Sequence, residues 1–275
     1  PVAAAERIAA FCALHGASPE ERRRIHIGFS AGRFDFMNRA HGITPRDPVE
    51  KAAWPALKGK IFTEACQIFL RLLKGEALSS AEIPPTTLAR DDFRSEEDWQ
   101  RVETAWTSLH GGEVPQIMEI APRFSFERLK IIPQEWRREL LDLVVGSHDP
   151  KLQEMVNDIL PVKVFNLSIT DPDLIENTHA RMAEAFHPDG GAWERSFMPR
   201  TTMVFLDADG DAARARARSA LGEYWKALEG TLDLAKVERA TENALVGTPG
   251  EVAEQAATRF HPEERLMLWF DFQDH

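Results

Sequence analysis

The sequence predicts an α/β fold built on a parallel sheet, and three observations carry this prediction. Short apolar segments alternate along the chain with helical segments. Three of the apolar segments, 141–145, 162–167 and 201–206, each run into a polar turn and then a helix. Parallel strands need such crossover helices. The repetition favours a (β/α) barrel, and an open doubly wound sheet is the competing architecture.

Composition narrows the class of protein. The chain has 275 residues, of which 43% are apolar and 28% charged, as is typical of globular domains. Its net charge of −11 argues against a nucleic-acid surface, and no apolar run is long enough for a membrane span. Cys12 and Cys66 cannot form a disulfide framework and are predicted to be buried thiols. We therefore expect a reducing, cytoplasmic compartment.

Two helices and a strand are predicted in the first part of the chain. Residues 3–14 carry apolar side chains at helical spacing and stop at Gly16. Residues 58–74 form an amphipathic helix that Gly75 closes. The segment 25–30 is predicted to be a buried strand.

Two further segments are predicted to be irregular. Residues 33–57 are predicted to be a loop because glycine and proline interrupt them at Gly42, Pro45, Pro48 and Pro55. Residues 77–135 are predicted to hold a single helix, 95–109. An excursion of this length favours a lid or an insertion.

The second half of the chain is more regular. Each of the three strands named first is followed by a helix, and a last strand is predicted at 266–270. The helices are expected at 150–159, 172–186, 210–229 and 235–245, with a further capped start at 248–251.

The turn after 141–145 is the strongest local signal for a ligand. Gly146, Ser147 and His148 follow a buried strand, and Pro150 can open a helix at once. Backbone N–H groups at such a helix start can bind a phosphate. The alternative is an ordinary turn between strand and helix, capped by Ser147 or Asp149.

Other catalytic patterns have little support in the sequence. Asp207 and Asp209 could be acid/base groups or metal ligands, or could cap the helix that follows them. The histidines do not occur at metal-ligand spacing, and no nucleophile elbow or dinucleotide-binding glycine turn is present. We predict no metal site and name no catalytic residue.

Several blocks, taken in order, resemble the bacterial luciferase-like family of flavin-dependent monooxygenases. They are residues 5–9 with 24–28, 60–65 with 72–75, 144–147, 244–253 and 266–270. They resemble, in order, the family's third helix and fourth barrel strand, its fourth helix, its phosphate turn, its late Gly- and Pro-containing signature and its eighth strand. The resemblance spans nearly the whole chain.

The resemblance implies an incomplete TIM barrel. Strands four to eight are present, whereas the first three strands and the final helix are not. We therefore expect residues 1–275 to form a single partial flavin-binding barrel domain, with the excursion 77–135 as a lid. Alone, this segment is expected not to close a barrel, and to expose apolar surface and unpaired backbone at the sheet edges. Either the segment comes from a longer polypeptide, or the barrel is naturally shortened.

The resemblance also implies a cofactor and its binding residues. Members of the family bind reduced FMN or, in one branch, a deazaflavin. The carried-over cofactor residues are Gly146, Ser147, His148, Lys60, Ser30 and Gly32, and Asn166, Ser168 and Thr170 could line the substrate side. Where many members have a basic residue after the fourth strand, this chain has Ala31, with Arg33 two positions on.

The implied function is a flavin-dependent monooxygenase acting on a small organic substrate with O₂. A separate flavin reductase would supply reduced FMN, and a homo-oligomer is expected. One alternative is hydride transfer with a deazaflavin. Another is a non-catalytic barrel that binds flavin, or nothing, as a structural subunit.

Overall fold

Helices and strands alternate along most of the chain in a computed structural model that describes residues 1–32, 35–227 and 234–270. The helices are α1 (Val2–His15), α2 (Asp35–Ala40), α3 (Pro48–Lys74), α4 (Glu96–His110), α5 (Pro150–Asn157), α6 (Pro172–Ala185), α7 (Gly210–Ala227), α8 (Leu234–Glu242) and α9 (Pro249–Arg259). The strands are β1 (Ile25–Phe29), β2 (Thr86–Ala89), β3 (Ile117–Ile120), β4 (Leu141–Val145), β5 (Val162–Val164), β6 (Arg200–Leu206), β7 (Leu245–Gly247) and β8 (Leu266–Phe270).

The chain divides into two compact units. The first contains residues 1–143 and 147–161, and the second contains residues 144–146 and 162–275. The described strands form sheets with the orders β1-β4-β5, β2-β3 and β7-β6-β8. None of these sheets closes on itself, so no barrel is closed within the described residues. This agrees with the expectation for residues 1–275 alone, and the single-domain assignment stays a prediction.

Helix α3 is longer than the sequence analysis predicted. It begins at Pro48, and the Asp47 side chain accepts a hydrogen bond from the Glu50 N–H at 2.8 Å. Proline suits the first turn because that turn needs no N–H donor. Pro55 lies inside the helix at an exposed position. The loop prediction for 33–57 was therefore wrong from Pro48 onward, and also over α2 (Asp35–Ala40).

The excursion 77–135 is also more regular than predicted. Its helix agrees with the expected position, but β2 and β3, which pair antiparallel, were not predicted. Both strands pack through Leu88 and Met118 onto the first half of α3, where Leu57 is fully buried. Packing against α3, rather than a local sequence signal, stabilises these short strands. The proposed role of this segment as a lid stays a prediction.

The second unit is organised around β6, which pairs parallel with both β7 and β8. Met203 and Phe205 on one face pack against α7, and Val204 on the other face packs against α9. Helices therefore cover both faces of this sheet, as in a doubly wound sheet. Strand β5 is shorter than predicted, and Asn166 beyond its end forms a parallel bridge with Arg200.

Candidate functional site

A cavity of about 620 Å³ lies within the first unit. It is bounded by the N-terminal part of α1, by β1 with the residues that follow it, and by one side of α3. Its volume falls in the range of small-molecule and cofactor pockets. Ser30 and Gly32, two of the predicted cofactor residues, lie in its wall.

The walls of the cavity are mostly apolar. Phe29 at the end of β1 packs against Phe62 and Phe69 of α3, with ring centroids 6.3 and 5.3 Å apart. These three rings fix the spacing between β1 and α3 beside the cavity. The other apolar lining residues are Pro1, Ala4, Ile8, Ile27, Ala31, Ile43, Ile61, Ala65 and Phe124. Phe124 belongs to the excursion 77–135, which therefore contributes directly to the cavity.

The cavity wall also carries polar groups. Gly32 has φ +73°, and a side chain there would meet Asn38 Oδ1 at 3.4 Å. The Asn38 carbonyl accepts a hydrogen bond from the Ile43 N–H at 2.9 Å, and Ile43 packs onto the first half of α3. Lys58 also lines the cavity and lies in the first half of α3. At a rise of 1.5 Å per residue, it is about 16 Å along the helix axis from Phe69. The polar side chains among the lining residues are those of Ser30, Asn38, His41 and Lys58.

Both cysteines are buried, as predicted. Burial raises the pKa of the Cys66 thiol to about 12, and burial also raises the pKa of Cys12. Cys66 contributes to the cavity wall but is only 1% exposed. A thiol in this environment stays protonated and is a poor nucleophile.

Lys60 does not line the cavity. Its Nζ lies 2.6 Å from Asp92 Oδ1, in an ion pair on another side of α3. Lys58, two residues earlier, is the lysine in the cavity wall. Arg33, the basic residue noted after β1, lies outside the described residues.

The turn after β4 is capped by its own side chains. The Asp149 carboxylate accepts a hydrogen bond from the Lys151 N–H at 3.0 Å, and Ser147 Oγ accepts one from the Asp149 N–H at 3.2 Å. Burial lowers the pKa of His148, which favours its neutral form. Gly146 is assigned to the second unit, while Ser147 and His148 belong to the first. The capped arrangement corresponds to the ordinary-turn alternative, with Asp149 as the cap.

The three predicted substrate-side residues lie in the second unit and are buried. The Thr170 Oγ1 accepts a hydrogen bond from the Leu167 N–H at 2.9 Å, and the Ser168 carbonyl accepts one from Asn243 Nδ2 at 2.7 Å. Asn166 is 1% exposed, and within the described residues neither polar atom of its side chain has a hydrogen-bond partner. Asn166 therefore retains unused capacity to donate and accept, which is uncommon for a buried amide.

Sequence reasoning missed a buried charged cluster in the first unit. Glu50 is paired with Arg46 and Arg123, and the Arg123 N–H donates to the Glu64 carboxylate. The local sequence offered two signals for this cluster, both at the start of α3. They are the capping residue Asp47 and the four-residue spacing of Arg46 and Glu50.

Asp207 and Asp209 organise the turn before α7. Asp209 accepts a hydrogen bond from the Asp211 N–H at 2.9 Å, and Asp207 accepts one from the Asp209 N–H at 3.0 Å. This backbone hydrogen bond, with the nearby Arg216, lowers the pKa of Asp207. The capping interpretation is therefore confirmed for Asp209, whereas Asp207 stabilises the turn before the helix and pairs with Arg216.

The described residues contain neither a metal-binding cluster nor a membrane-spanning helix. Across residues 1–32, 35–227 and 234–270, no three His, Cys, Asp or Glu side chains are arranged to hold a metal ion. In the same ranges, no helix combines the length and the apolar character that a membrane crossing requires.

This chain is similar to known proteins in its fold. No family model and no curated protein matches the sequence. The monooxygenase RslO1 from Streptomyces bottropensis matches 98% of this chain with a TM-score of 0.60 and 17% identity. An F420-dependent secondary alcohol dehydrogenase, solved with an F420–acetone adduct, matches 97% with a TM-score of 0.51 and 15% identity.

This chain covers only part of the length of each of these two proteins. The chain spans 66% of the length of the monooxygenase and 69% of that of the dehydrogenase. At these identities the similarity concerns the fold alone. It agrees, at that level, with the luciferase-like resemblance of the sequence blocks.

Proposed function

We propose that the chain is the flavin-binding part of an oxidoreductase that uses reduced FMN and O₂ to oxidise a small organic substrate. The cavity beside the end of β1, with Ser30 and Gly32 in its wall, carries this proposal. The fold shared with a monooxygenase supports it.

The cavity fits the ring system of a flavin in chemistry and size. A flat, largely apolar ring with a polar edge suits a cavity whose walls are mostly aromatic and aliphatic and include a few polar residues. The backbone at Gly32 can approach closely because no side chain intervenes. Ser30 and Asn38 supply hydrogen-bonding groups in the cavity wall.

The turn after β4, capped by Asp149, fits the terminal phosphate of FMN less well than the cavity fits the flavin ring. The Lys151 N–H is bound by the Asp149 carboxylate, whose charge repels an anion. Phosphate binding there requires Asp149 to turn away. Lys58 is a cation in the cavity wall, whereas the predicted Lys60 is paired with Asp92 away from it.

The protein's own contribution is to position the ring and keep the site dry. When bound, reduced flavin supplies the electrons for the reaction with O₂. Phe29, Phe62 and Phe69 line the cavity with apolar surface that excludes water. Phe124 extends this surface from the excursion 77–135, which supports the proposed role of that segment as a lid.

Hydride transfer with a deazaflavin is the second candidate function. The fold shared with an F420-dependent dehydrogenase favours it. The apolar cavity serves this reaction equally well, because hydride transfer also requires a dry and ordered site.

Anaerobic titration distinguishes the candidates. The monooxygenase proposal predicts saturable binding of reduced FMN and its oxidation on admission of O₂ with transfer of oxygen to a substrate. Binding of reduced deazaflavin alone would replace it with the second candidate. Absence of binding to either would favour the non-catalytic structural subunit.

A further inference from the structure

Phe124 is the point at which the excursion 77–135 reaches the cavity. The other described residues that line the cavity all lie between positions 1 and 69. The Phe124 side chain is half-buried and packs against the core cluster that includes Leu57 and Ile61. Its ring is therefore a part of the wall that one substitution can remove without disturbing the contact between β1 and α3.

The buried Glu64 carboxylate binds the backbone at Phe124. Glu64 Oε1 accepts hydrogen bonds from the Arg123 N–H and from the Phe124 N–H, each at 3.0 Å. Glu64 is 5% exposed and lies on α3 next to Ala65, which lines the cavity. A buried carboxylate requires such donors, and its hydrogen bonds are stronger than those of a neutral acceptor. Glu64 therefore ties the backbone of Phe124 to the helix that forms one side of the cavity.

The chain on both sides of Phe124 is held as well. Before it, the Arg46 guanidinium donates a hydrogen bond to the Pro122 carbonyl at 3.1 Å. After it, the Phe126 N–H donates one to Ser80 Oγ at 3.0 Å. Within this segment only backbone atoms take part in these bonds, so shortening the Phe124 side chain breaks none of them. The expected effect of that change is a larger cavity inside an otherwise unchanged wall.

We propose that Phe124 limits the size of the apolar ligand that the cavity admits, and that the Glu64 carboxylate positions Phe124 for this role. The wall is mostly apolar, so an uncharged, largely apolar ligand gains affinity from each methylene group that it buries until it meets the ring. As a statement about the substrate, this inference rests on the proposed function. As a statement about the cavity, it needs no flavin.

Calorimetric titration of the protein with a series of linear primary alcohols tests the limit. Each added methylene group is expected to tighten binding about fourfold until the cavity is filled, and the chain length at which the gain stops measures the limit. Phe124→Ala is expected to move the limit to longer alcohols by about two to four methylene groups, which is the apolar content of a phenylalanine side chain. Phe124→Trp is expected to move it to shorter ones.

Two further variants locate the effect. Phe126→Ala is the matched control, because Phe126 is half-buried in the same segment and does not line the cavity, so the limit should stay where it is. Ala65→Phe fills the cavity and should shorten the limit. The same limit in wild type, Phe124→Ala and Phe124→Trp would overturn the proposal. An equal shift in Phe126→Ala, or no binding of alcohols to the wild type, would also overturn it.

Glu64→Gln tests the positioning role. The substitution keeps the length of the side chain but replaces one carboxylate oxygen by an amide group that donates, so the Arg123 and Phe124 N–H groups are bound less firmly. If Glu64 acts through Phe124, the limit moves to longer alcohols when the ring is present and does not move further in Phe124→Ala. No shift, or the same shift with and without the ring, would contradict the positioning role.

The alcohol series also separates this inference from the proposed function. Failure of the proposed function would appear as absence of flavin binding, with limits that still shift as described. Flavin binding together with limits that do not depend on Phe124 would retain the flavin site and overturn the role of Phe124.

Discussion

Arg123 Nη2 donates a hydrogen bond to the Glu50 carboxylate at 2.9 Å, and both side chains are nearly inaccessible to water, at 9 and 3% exposure. Arg46 adds a hydrogen bond to the same carboxylate from its side chain at 2.7 Å. The cluster joins the start of α3 to the segment after β3. It anchors the excursion 77–135 to the helix that lines the cavity.

Glu50→Gln is expected to destabilise the chain strongly. The substitution leaves the buried Arg123 without its counter-charge, and loss of one partner of such a pair costs about 3–5 kcal/mol. Urea unfolding at neutral pH measures the change. The control is Glu97→Gln. Glu97 and its partner Arg101 are 82 and 56% exposed, so this substitution should cost about 0–1 kcal/mol. Similar losses in both variants would contradict the assigned importance of the cluster.

The Glu50 carboxylate is also expected to make the free energy of unfolding depend on pH. Burial acts to raise the pKa of Glu50, but hydrogen bonds from Arg46 and the charges of Arg123 and Arg46 outweigh it and hold the pKa below its ordinary value. A lowered folded-state pKa stabilises the fold above the unfolded pKa of about 4.3. This contribution is lost as the pH falls through the folded pKa. The stability gap between wild type and Glu50→Gln should therefore narrow in acid, and a constant gap would be inconsistent with this account.

Gly59→Ala is expected to stabilise the protein. Gly59 lies inside α3, and a side chain there would meet nothing within 4 Å. Alanine should therefore gain about 0.5–1 kcal/mol from its helix preference. Gly75→Ala is the control with the opposite sign, since Gly75 ends α3 at φ +98° and a side chain would meet Arg138 at 3.1 Å. Thermal unfolding of both variants checks the two signs.

Substitutions at the capped turn test whether it binds phosphate. Asp149→Asn keeps a capping side chain but removes the negative charge, so FMN should bind more tightly and riboflavin should not change. Ser147→Ala should weaken the binding of FMN by roughly 1.5–3 kcal/mol and leave the binding of riboflavin unchanged. Equal effects on the two flavins would remove this turn from the cofactor site.

The thiols are expected to resist labelling in the folded chain. Burial raises the pKa of both cysteines and restricts access to them, so a disulfide reagent should modify neither until the protein unfolds. Time-resolved labelling with and without urea measures this. Fast modification of Cys66 in the folded state would show that the cavity opens more widely than its structure indicates.

Periodic segments could be predicted from the sequence because their own apolar pattern determines them. Strands β1, β4, β6 and β8 were found this way. Strand β2 was not, since Thr86–Ala89 contains one fully buried residue, Leu88, and depends on packing against α3. The start of α3 was misassigned because Pro48 and Pro55 were interpreted as breaks, whereas one opens the helix and the other lies on its exposed side.

The candidate site was only partly predictable for a related reason. Ser30 and Gly32 were assigned through a family resemblance, and both lie in the cavity wall. Their neighbours Lys58 and Phe124 come from segments far apart in sequence, and no local pattern brings them together. The unpaired amide of Asn166 likewise depends on its three-dimensional surroundings, which sequence spacing does not encode.

The most direct test of the central claim is flavin binding to a chain whose cavity has been filled. Ala65 lines the cavity, so Ala65→Phe should occupy space that the ring needs, whereas Ala183→Phe changes an exposed alanine of α6. Anaerobic fluorescence titration with reduced FMN should show saturable binding to wild type and to Ala183→Phe, and loss of binding in Ala65→Phe with its fold intact by circular dichroism. Equal affinity of all three chains would contradict the assignment of this cavity to the flavin.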